Sequence, residues 1–595
     1  MDSVCALLTA APGRVRLAAR LALVLFELSS LPRRFSRMGL TRRAAHLARI
    51  ESRPGGLRRE LLLFLKSLVM FGYAGDPRVA EVVGVFSRCG LAEGAAAPTQ
   101  LPPLDPDAMK ISDEVEHCDV VIVGSGAGGA AAARMVAECG LSVIVIEQGD
   151  YHDASSYPSD PLEALVTLYR DGGLTVCEGR PPIPLPLGRC VGGTTVINSG
   201  SCFRTPDDVL AQWRDEHGID WAADLEQEFE ALERDLHVTP VDPKRAGRNA
   251  ELCRIGAERL HASNGPIPRN AGAVVCCGTC PNGCALDAKQ ATHVSELPRA
   301  VGAGGVVRAG VRVERLLVEY GRVAGVRGRT AGGNRYEARG RATVLAAGAI
   351  GTPELLLSQG IANSSGAVGR NLKIHPACWV GARFDEEVRG WDGVMQSWYV
   401  DEWRDRGLFL EATFTPFAFG AHWLPGTGRE LSERIERYEQ LAVIGVHMSE
   451  RSSHGRIRAG RGGTRITYRL SGEDTQAIGY GIARAADIHF TAGAVEVYPQ
   501  LAGLSVLNHA GGGSIDTARL RARDLRLEAF HPMGSARMGA DARTSVVAPS
   551  GETHDIKDLY VADASILPTS LKVNPMITIM ACARRIAAGL ADRLG

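Results

Sequence analysis

Apolar and polar positions along the chain fall into three regimes. Residues 1 to about 95 hold leucine-rich stretches broken by charge, "LAARLALVLFELSS" and "LLLFLKSLVMFGY", a spacing that predicts amphipathic or buried helices. The stretch "EGAAAPTQLPPLDPDAMK" that follows is rich in Ala and Pro and weak in periodicity, which predicts a linker or wrapping segment. From about residue 117 apolar runs alternate with helical periodicity, "CDVVIVG", "AGGAAAARMVAECG", "SVIVIEQG", the pattern of a βαβ unit. Further on, "GVRVERLLVEYGRVAGVRGR" predicts hairpin strands. "RATVLAAGAIGTPELLLSQG" predicts a buried strand, a small-residue turn and a helix starting at Thr352 and Pro353. The last stretch, "DLYVADASILPTSLKVNPMITIMACARRIAAGLADRL", predicts a strand, a loop and a long closing helix. No internal repeat is present.

Composition narrows the function classes. At 595 residues the chain exceeds what one hydrophobic core supports, so several domains or a large domain with insertions are expected. With 45% apolar residues and 67 basic side chains balancing 67 acidic ones, there is no net field to attract nucleic acid, which is set aside. Arg20, Glu27 and Lys66 interrupt the leucine-rich stretches before they reach the roughly 20 apolar residues of a spanning helix. "LPRRFSRMG" has the look of a twin-arginine signal, but "LTRRAAHLARIESR" follows where an apolar region belongs, so export is rejected. The expectation is a cytoplasmic protein with room for contact at a membrane surface. Its 14 cysteines are not spaced as a secreted disulfide framework.

The strongest local chemistry lies in "VVIVGSGAGGAAAA", where Gly124, Gly126 and Gly129 stand in G-x-G-x-x-G spacing between an apolar strand and an alanine-rich helix. In that setting Gly124 makes the turn, Gly126 admits a pyrophosphate near the backbone, and Gly129 permits close packing of helix on strand. The helix N-terminus offers free N–H groups and a positive dipole end. Glu147, ending the second strand, can accept from ribose hydroxyls, which favours FAD or NAD over NADP. A second glycine-rich turn, "GRCVGGTTVINSG", carries Gly192, Gly193, Thr194, Thr195 and Asn198 and can line a flat polar ring. Near the end, "FHPMGSARMG" sets His531 at the mouth of a tight loop.

Together these motifs resemble the glucose-methanol-choline (GMC) family of FAD-dependent oxidoreductases, from about residue 117 to the C-terminus. The matching pieces are "VIVGSGAGG", "VGGTTVIN", "AAGAIGTPELL", "FHPMGSARMG", "VADASILP" and "NPMITIMA", in the family's order. "CPNGCALDAKQATHVSELPRAVGAGG" and "GRNLKIHP" look most like the long-chain fatty alcohol oxidases, and the N-terminal helices resemble an extension those proteins carry. The resemblance implies an α/β fold: a Rossmann-type FAD-binding domain, an inserted α+β substrate domain and the helical extension. The expected division is extension and linker 1–112, FAD-binding part 113–204, substrate-domain insertion 205–272, second FAD-binding part 273–375, substrate-binding domain 376–525, and C-terminal FAD-binding and catalytic part 526–595.

The resemblance also implies roles. His531 matches the family's acid/base for the substrate hydroxyl and Asn574 its partner. An imidazole can accept the hydroxyl proton, and an amide can hold the oxygen in line. Gly124, Gly126, Gly129 and Glu147 match the pyrophosphate and ribose contacts, and Gly192, Gly193, Thr195 and Asn198 the loop along the flavin. Val313 matches the adenine contact, Asp563 the acid near the ribityl and pyrophosphate, and Asn574, Pro575 and Met576 the turn at the pyrimidine edge. Some members attach FAD through a His where this chain has Ile197, so FAD is expected to be noncovalent.

Two features stay open. "VVCCGTCPNGC" gathers Cys276, Cys277, Cys280 and Cys284, read first as free thiols shaping a turn, then as iron–sulfur ligands, as in related sugar dehydrogenases, then as zinc ligands. A cluster would carry electrons from the flavin and make the protein a dehydrogenase. The run holding Phe409, Phe414, Phe417, Phe419 and Trp423 is read first as core packing, with an apolar tunnel for an acyl chain or sterol as the functional alternative. The expected activity is oxidation of a hydrophobic, long-chain alcohol, with oxygen or another electron acceptor. The alternatives are a sterol or sugar dehydrogenase or oxidase of the same family and, in a different class, a flavin-binding protein without catalysis.

Overall fold

The computed structural model describes residues 2–30, 34–53, 55–85, 90–91, 101–111, 115–272, 274–275, 278–460, 463–508 and 515–595. Two sheets organise it. The first is a seven-stranded mixed sheet in which Val306–Arg308, Val143–Ile146, Val115–Val123 and Arg335–Leu345 lie side by side in parallel. Leu559–Val561 adds to the same sheet, parallel to the end of Arg335–Leu345. The four residues Val143–Ile146 and the last four of Val115–Val123 are buried, as expected of a parallel sheet covered on both faces. Arg322–Thr330 and Val311–Glu319 complete it as the antiparallel hairpin expected from the sequence.

The helix after the first strand, α6 (Ala127–Glu138), buries Ala130, Ala131, Ala132 and Ala133 and packs on the closing helix Met576–Leu594. Methyl side chains let the two backbones come close. The helix expected to start at Thr352 begins earlier, at Gly348, and carries Pro353 inside. Proline has no N–H for the carbonyl four residues before it. Here that carbonyl, on Ala349, accepts the Ser535 hydroxyl at 2.5 Å.

The second sheet has eight strands, all antiparallel, centred on Pro376–Arg383, Leu441–Met448 and Leu408–Thr413. Asn264–Pro266 reaches its edge from far upstream, and Glu528–Ala529 pairs with Pro376 and Ala377. The second pairing places the chain just before His531 alongside the chain just after His375.

Five helices precede these sheets: α1 (Asp2–Ala10), α2 (Gly13–Leu28), α3 (Leu40–Ser52), α4 (Leu57–Ala74) and α5 (Pro77–Val83). α4 docks on the second sheet. Its Lys66 is buried and donates to Glu51 at 2.7 Å and to the carbonyls of Leu424 and Gly426 at 2.7 and 2.8 Å. Burial pushes the Lys66 ammonium down to about 8. Phe414, Phe417 and Trp423 share a buried cluster with Met70 and Ala74 of α4, and Phe419 lies edge-on to Phe71. Most of the aromatic run is therefore core packing. The tunnel reading does not hold for Phe414, Phe417 and Trp423.

Candidate active site

The two glycine turns meet. Gly124 has φ +105°, and a Cβ there would stand 2.3 Å from the Ala346 carbonyl oxygen, while one on Gly129 would stand 1.9 Å from that of Gly124. A Cβ on Gly193 would come 3.0 Å from the Gly126 Cα. A chain of hydrogen bonds ties the turns: Gly192 N–H donates to Ser125 Oγ at 3.0 Å, and Ser125 Oγ donates to Glu147 Oε2 at 2.8 Å. Glu147 also accepts from the amides of Ser125 and Gly149. Burial raises its carboxyl above the usual range, against these donors. Thr195 Oγ1 donates to the Gly192 carbonyl and accepts from Thr292 N.

This cradle fits a dinucleotide. Among the described residues no side chain caps the N-terminus of α6, and a Cβ on Gly126 would meet nothing nearer than Gly193 Cα at 3.9 Å, so there is room beside the turn that opens the helix. Asp563 accepts from Gly348 N, Thr352 Oγ1 and Ser565 N at 2.5 to 2.8 Å, joining two further turns at the same end of the sheet. Asn198 Nδ2 reaches Met576 Sδ at 3.1 Å, which brings the second loop against the 574–576 turn. Pro575 is the N-cap of the closing helix. Val313 lies in the strand that follows Val311, whose amide donates to the Glu147 carbonyl at 2.8 Å.

His531 and Asn574 face each other across 3.5 Å, between Nε2 and Nδ2, and Asn574 Oδ1 is buried without a partner among the described residues. They line a small cavity with His375, Phe409, His447, Ser449, Lys572 and Val573. Three of these were not singled out from sequence and carry chemistry. His375 Nδ1 is 3.1 Å from His531 Nδ1. At its other nitrogen His375 has two neighbours, the Leu571 amide at 3.2 Å and the Ser449 hydroxyl at 3.3 Å. The His447 ring stacks beside His531, 5.7 Å between centroids, and its Nε2 lies 2.9 Å from the fully buried Glu411 carboxylate. A signal for His375 was there to read: the sequence holds two His-Pro dipeptides, at 375 and at 531, and the structure joins them.

Burial and the neighbouring rings hold both His531 and His375 below the ordinary imidazole range, His375 at about 3. Glu450 fixes His375 in place. Its carboxylate accepts from the amides of Ile374 and His375, from Tyr468 Oη at 2.9 Å and from Ser570 Oγ at 2.6 Å. It thereby clamps the loop that carries the Leu571 amide.

Of the four clustered cysteines, Cys276 and Cys277 lie outside the described residues. Cys280 Sγ accepts from Arg269 Nη2 at 3.4 Å and Cys284 Sγ from the Lys289 amide at 3.5 Å. Among the described residues no three His, Cys, Asp or Glu side chains gather as metal ligands. Lys289 Nζ donates to the carbonyls of Val196 and Asn198, and Arg269 to that of Ser199, so two buried cations grip the second glycine loop from behind.

Comparison with known proteins agrees with this architecture. Two GMC oxidoreductase family models match residues 165–377 and 447–583, and an FAD binding domain model matches 119–159. An uncharacterized GMC-type oxidoreductase of Mycobacterium tuberculosis is 37% identical over 527 residues, covering 88% of this chain and 82% of its own. A long-chain-alcohol oxidase of Arabidopsis thaliana is 30% identical, over 80% of this chain and 68% of its own. Among solved structures, the formate oxidase of Aspergillus oryzae aligns with a TM-score of 0.62 at 17% identity, over 81% of this chain and 99% of its own. With these matches and the paired glycine turns, the chain belongs to the GMC oxidoreductase family and carries its FAD-binding domain.

Proposed function

We propose that the protein oxidises the CH–OH group of a hydrophobic, long-chain alcohol to the aldehyde, with His531 as acid/base and Asn574 orienting the hydroxyl. The observation that carries this reading is the meeting of His531 and Asn574 on a cavity whose other walls include Phe409 and Val573. Two groups able to manage an O–H stand there beside apolar side chains suited to a carbon chain. Similarity to the plant long-chain-alcohol oxidases supports a long aliphatic substrate.

Gly124, Gly126, Gly129 and the first amides of α6 would hold the pyrophosphate of FAD and Glu147 its ribose. Val313 would meet the adenine, Gly192, Gly193, Thr195 and Asn198 the flavin, and Asp563, Pro575 and Met576 the opposite side. Bound FAD supplies the acceptor for the carbinol hydride. The proton is left to the protein. Held neutral by burial, His531 and His375 share one proton between their Nδ1 atoms. His531 Nε2 takes the hydroxyl proton, and the charge this places on His531 is shared with His375 across the Nδ1 contact. The Leu571 amide, which donates to His375 Nε2, and Ser449 Oγ hold the His375 ring in that orientation.

The test is the visible spectrum of the FAD-loaded protein under nitrogen while a long-chain primary alcohol is added. Bleaching of the flavin bands, and its loss in His531→Ala with the flavin retained, is the expected result; bleaching that survives His531→Ala refutes the role of His531. Recovery of the bands in air assigns oxygen as acceptor, and failure to recover assigns another. Peripheral contact with a membrane suits the supply of such a substrate.

A further inference from the structure

The N-terminal helices carry an unusual surface. Of 17 large hydrophobic side chains that stand exposed among the described residues, 11 lie before residue 85. Five form one stripe on α2: Leu17, Leu21, Val24, Leu25 and Leu28, each between 44% and 57% exposed. The opposite side of α2, with Ala19, Ala22 and Phe26, is buried, and α2 packs on α4. The helix is thus apolar on two faces, and only one has a partner. A row of that kind on a monomer marks a contact surface.

Charge identifies the partner. Residues 1–85 hold 14 of the 67 Lys and Arg but 6 of the 67 Asp and Glu, so a chain neutral overall is positive at this end and negative over the rest. Arg16 and Arg20 flank the stripe on the helix, and Arg34, Arg37, Arg42 and Arg49 stand exposed on the elements that follow. None of the six forms an ion pair in the structure among the described residues. A second copy docking through the same face would bring two positive surfaces together, and a neutral apolar partner would leave the arginines idle. An anionic bilayer satisfies both features, since leucines enter the acyl boundary while arginines meet headgroup phosphates. No helix among the described residues is long and apolar enough to cross a membrane, so α2, about 24 Å long, lies along the surface.

We propose that the stripe Leu17, Leu21, Val24, Leu25 and Leu28, with the arginines around it, seats this protein on the surface of an anionic lipid bilayer. This rests on the peripheral contact suggested above and adds the face and the lipid charge. It is independent of the reaction assigned to His531.

The experiment is co-sedimentation of the full, FAD-loaded chain with vesicles of neutral phosphatidylcholine, and with the same vesicles doped with anionic phosphatidylglycerol. Binding at least about tenfold tighter to the doped vesicles, weakening as salt rises, is expected. L21Q/L25Q should weaken binding to doped vesicles about tenfold or more by removing buried aliphatic area. R34Q/R37Q/R42Q should cost roughly fivefold per arginine on doped vesicles and little on neutral ones. Circular dichroism and flavin content show that each variant folds, and turnover of detergent-dispersed alcohol, measured separately, tells failure of this proposal from failure of the active-site reading. No sedimentation with either vesicle, or variants that bind like the parent, overturns the proposal. A dimer in light scattering that L21Q/L25Q splits also overturns it, by giving the face to a second copy.

Discussion

His375 Nδ1 lies 3.1 Å from His531 Nδ1, though 156 residues separate them in the chain. The proposed acid/base is thus half of a pair whose far end is set by Leu571 N–H and Ser449 Oγ. Replacing His375 with Phe keeps a ring and removes both nitrogens. The expected result is a fall in kcat of about 10²-fold, within the usual range for a lost proton-transfer partner, with flavin content unchanged. Ser449→Ala should cost less, about tenfold, because the Leu571 amide remains. Stopped-flow flavin reduction by alcohol measures both, and a His375→Phe protein reduced at the parent rate removes His375 from the mechanism.

Glu528, on the short strand paired with Pro376 and Ala377, gives a pH signature. Burial pushes its carboxyl up to about 7, although His447 and Arg526 pull it down. A carboxyl raised on folding binds more protons in the folded than in the unfolded state between its ordinary value and about 7, so it favours the fold at the acid end and loses that contribution as pH rises through the window. Glu528→Gln cannot ionise. Its Tm relative to the parent should rise between pH 5 and pH 8, by an amount that calorimetry at several pH values resolves. A difference that is flat with pH would show that Glu528 titrates at an ordinary value.

Gly129 tests the cradle. An added methyl would stand 1.9 Å from the Gly124 carbonyl oxygen and 3.0 Å from the Ala346 side chain, and backbone there cannot yield without opening the turn. Gly129→Ala should therefore purify with little flavin while circular dichroism stays close to that of the parent. The ratio of visible to ultraviolet absorbance reads it directly, and full flavin content would mean the turn is not where the pyrophosphate sits.

What could be read from sequence was what is local. Gly124, Gly126 and Gly129 act within one turn, and the alternation around them is enough to predict strand, turn and helix. His531 and Asn574 could be paired only through the resemblance, since they lie 43 positions apart with loop, strand and turn between them. His375, His447 and Ser449 were missed because adjacent strands of a distant sheet deliver them, and register between such strands is a tertiary fact. The aromatic run shows the same limit from the other side. Whether Phe414 and Trp423 line a tunnel or a core depends on α4, which arrives from more than 300 residues upstream and fills the space with Met70 and Ala74.

The closing helix supplies a last prediction, because it begins at Met576, two residues after Asn574. Its Arg584 donates to Glu296 at 3.0 Å and Asp235 at 2.8 Å, while Arg134 of α6 reaches the same two carboxylates at 3.1 and 2.6 Å. Glu296 is fully buried and Arg584 nearly so. Two guanidiniums on neighbouring helices thus share two carboxylates, one of which water does not reach. Glu296→Gln keeps the shape and removes the charge, leaving Arg584 with Asp235 alone and Arg134 with Asp235 and the more exposed Glu138. Breaking a buried pair from one side costs roughly 3–5 kcal/mol, most of it the uncompensated charge left behind. Urea denaturation of the FAD-loaded protein should show a loss of that order. Asp235→Asn, at a partly exposed position, should lose less. Equal losses from the two would mean that burial of Glu296 does not set the energetics, and that the closing helix is held by its apolar face alone.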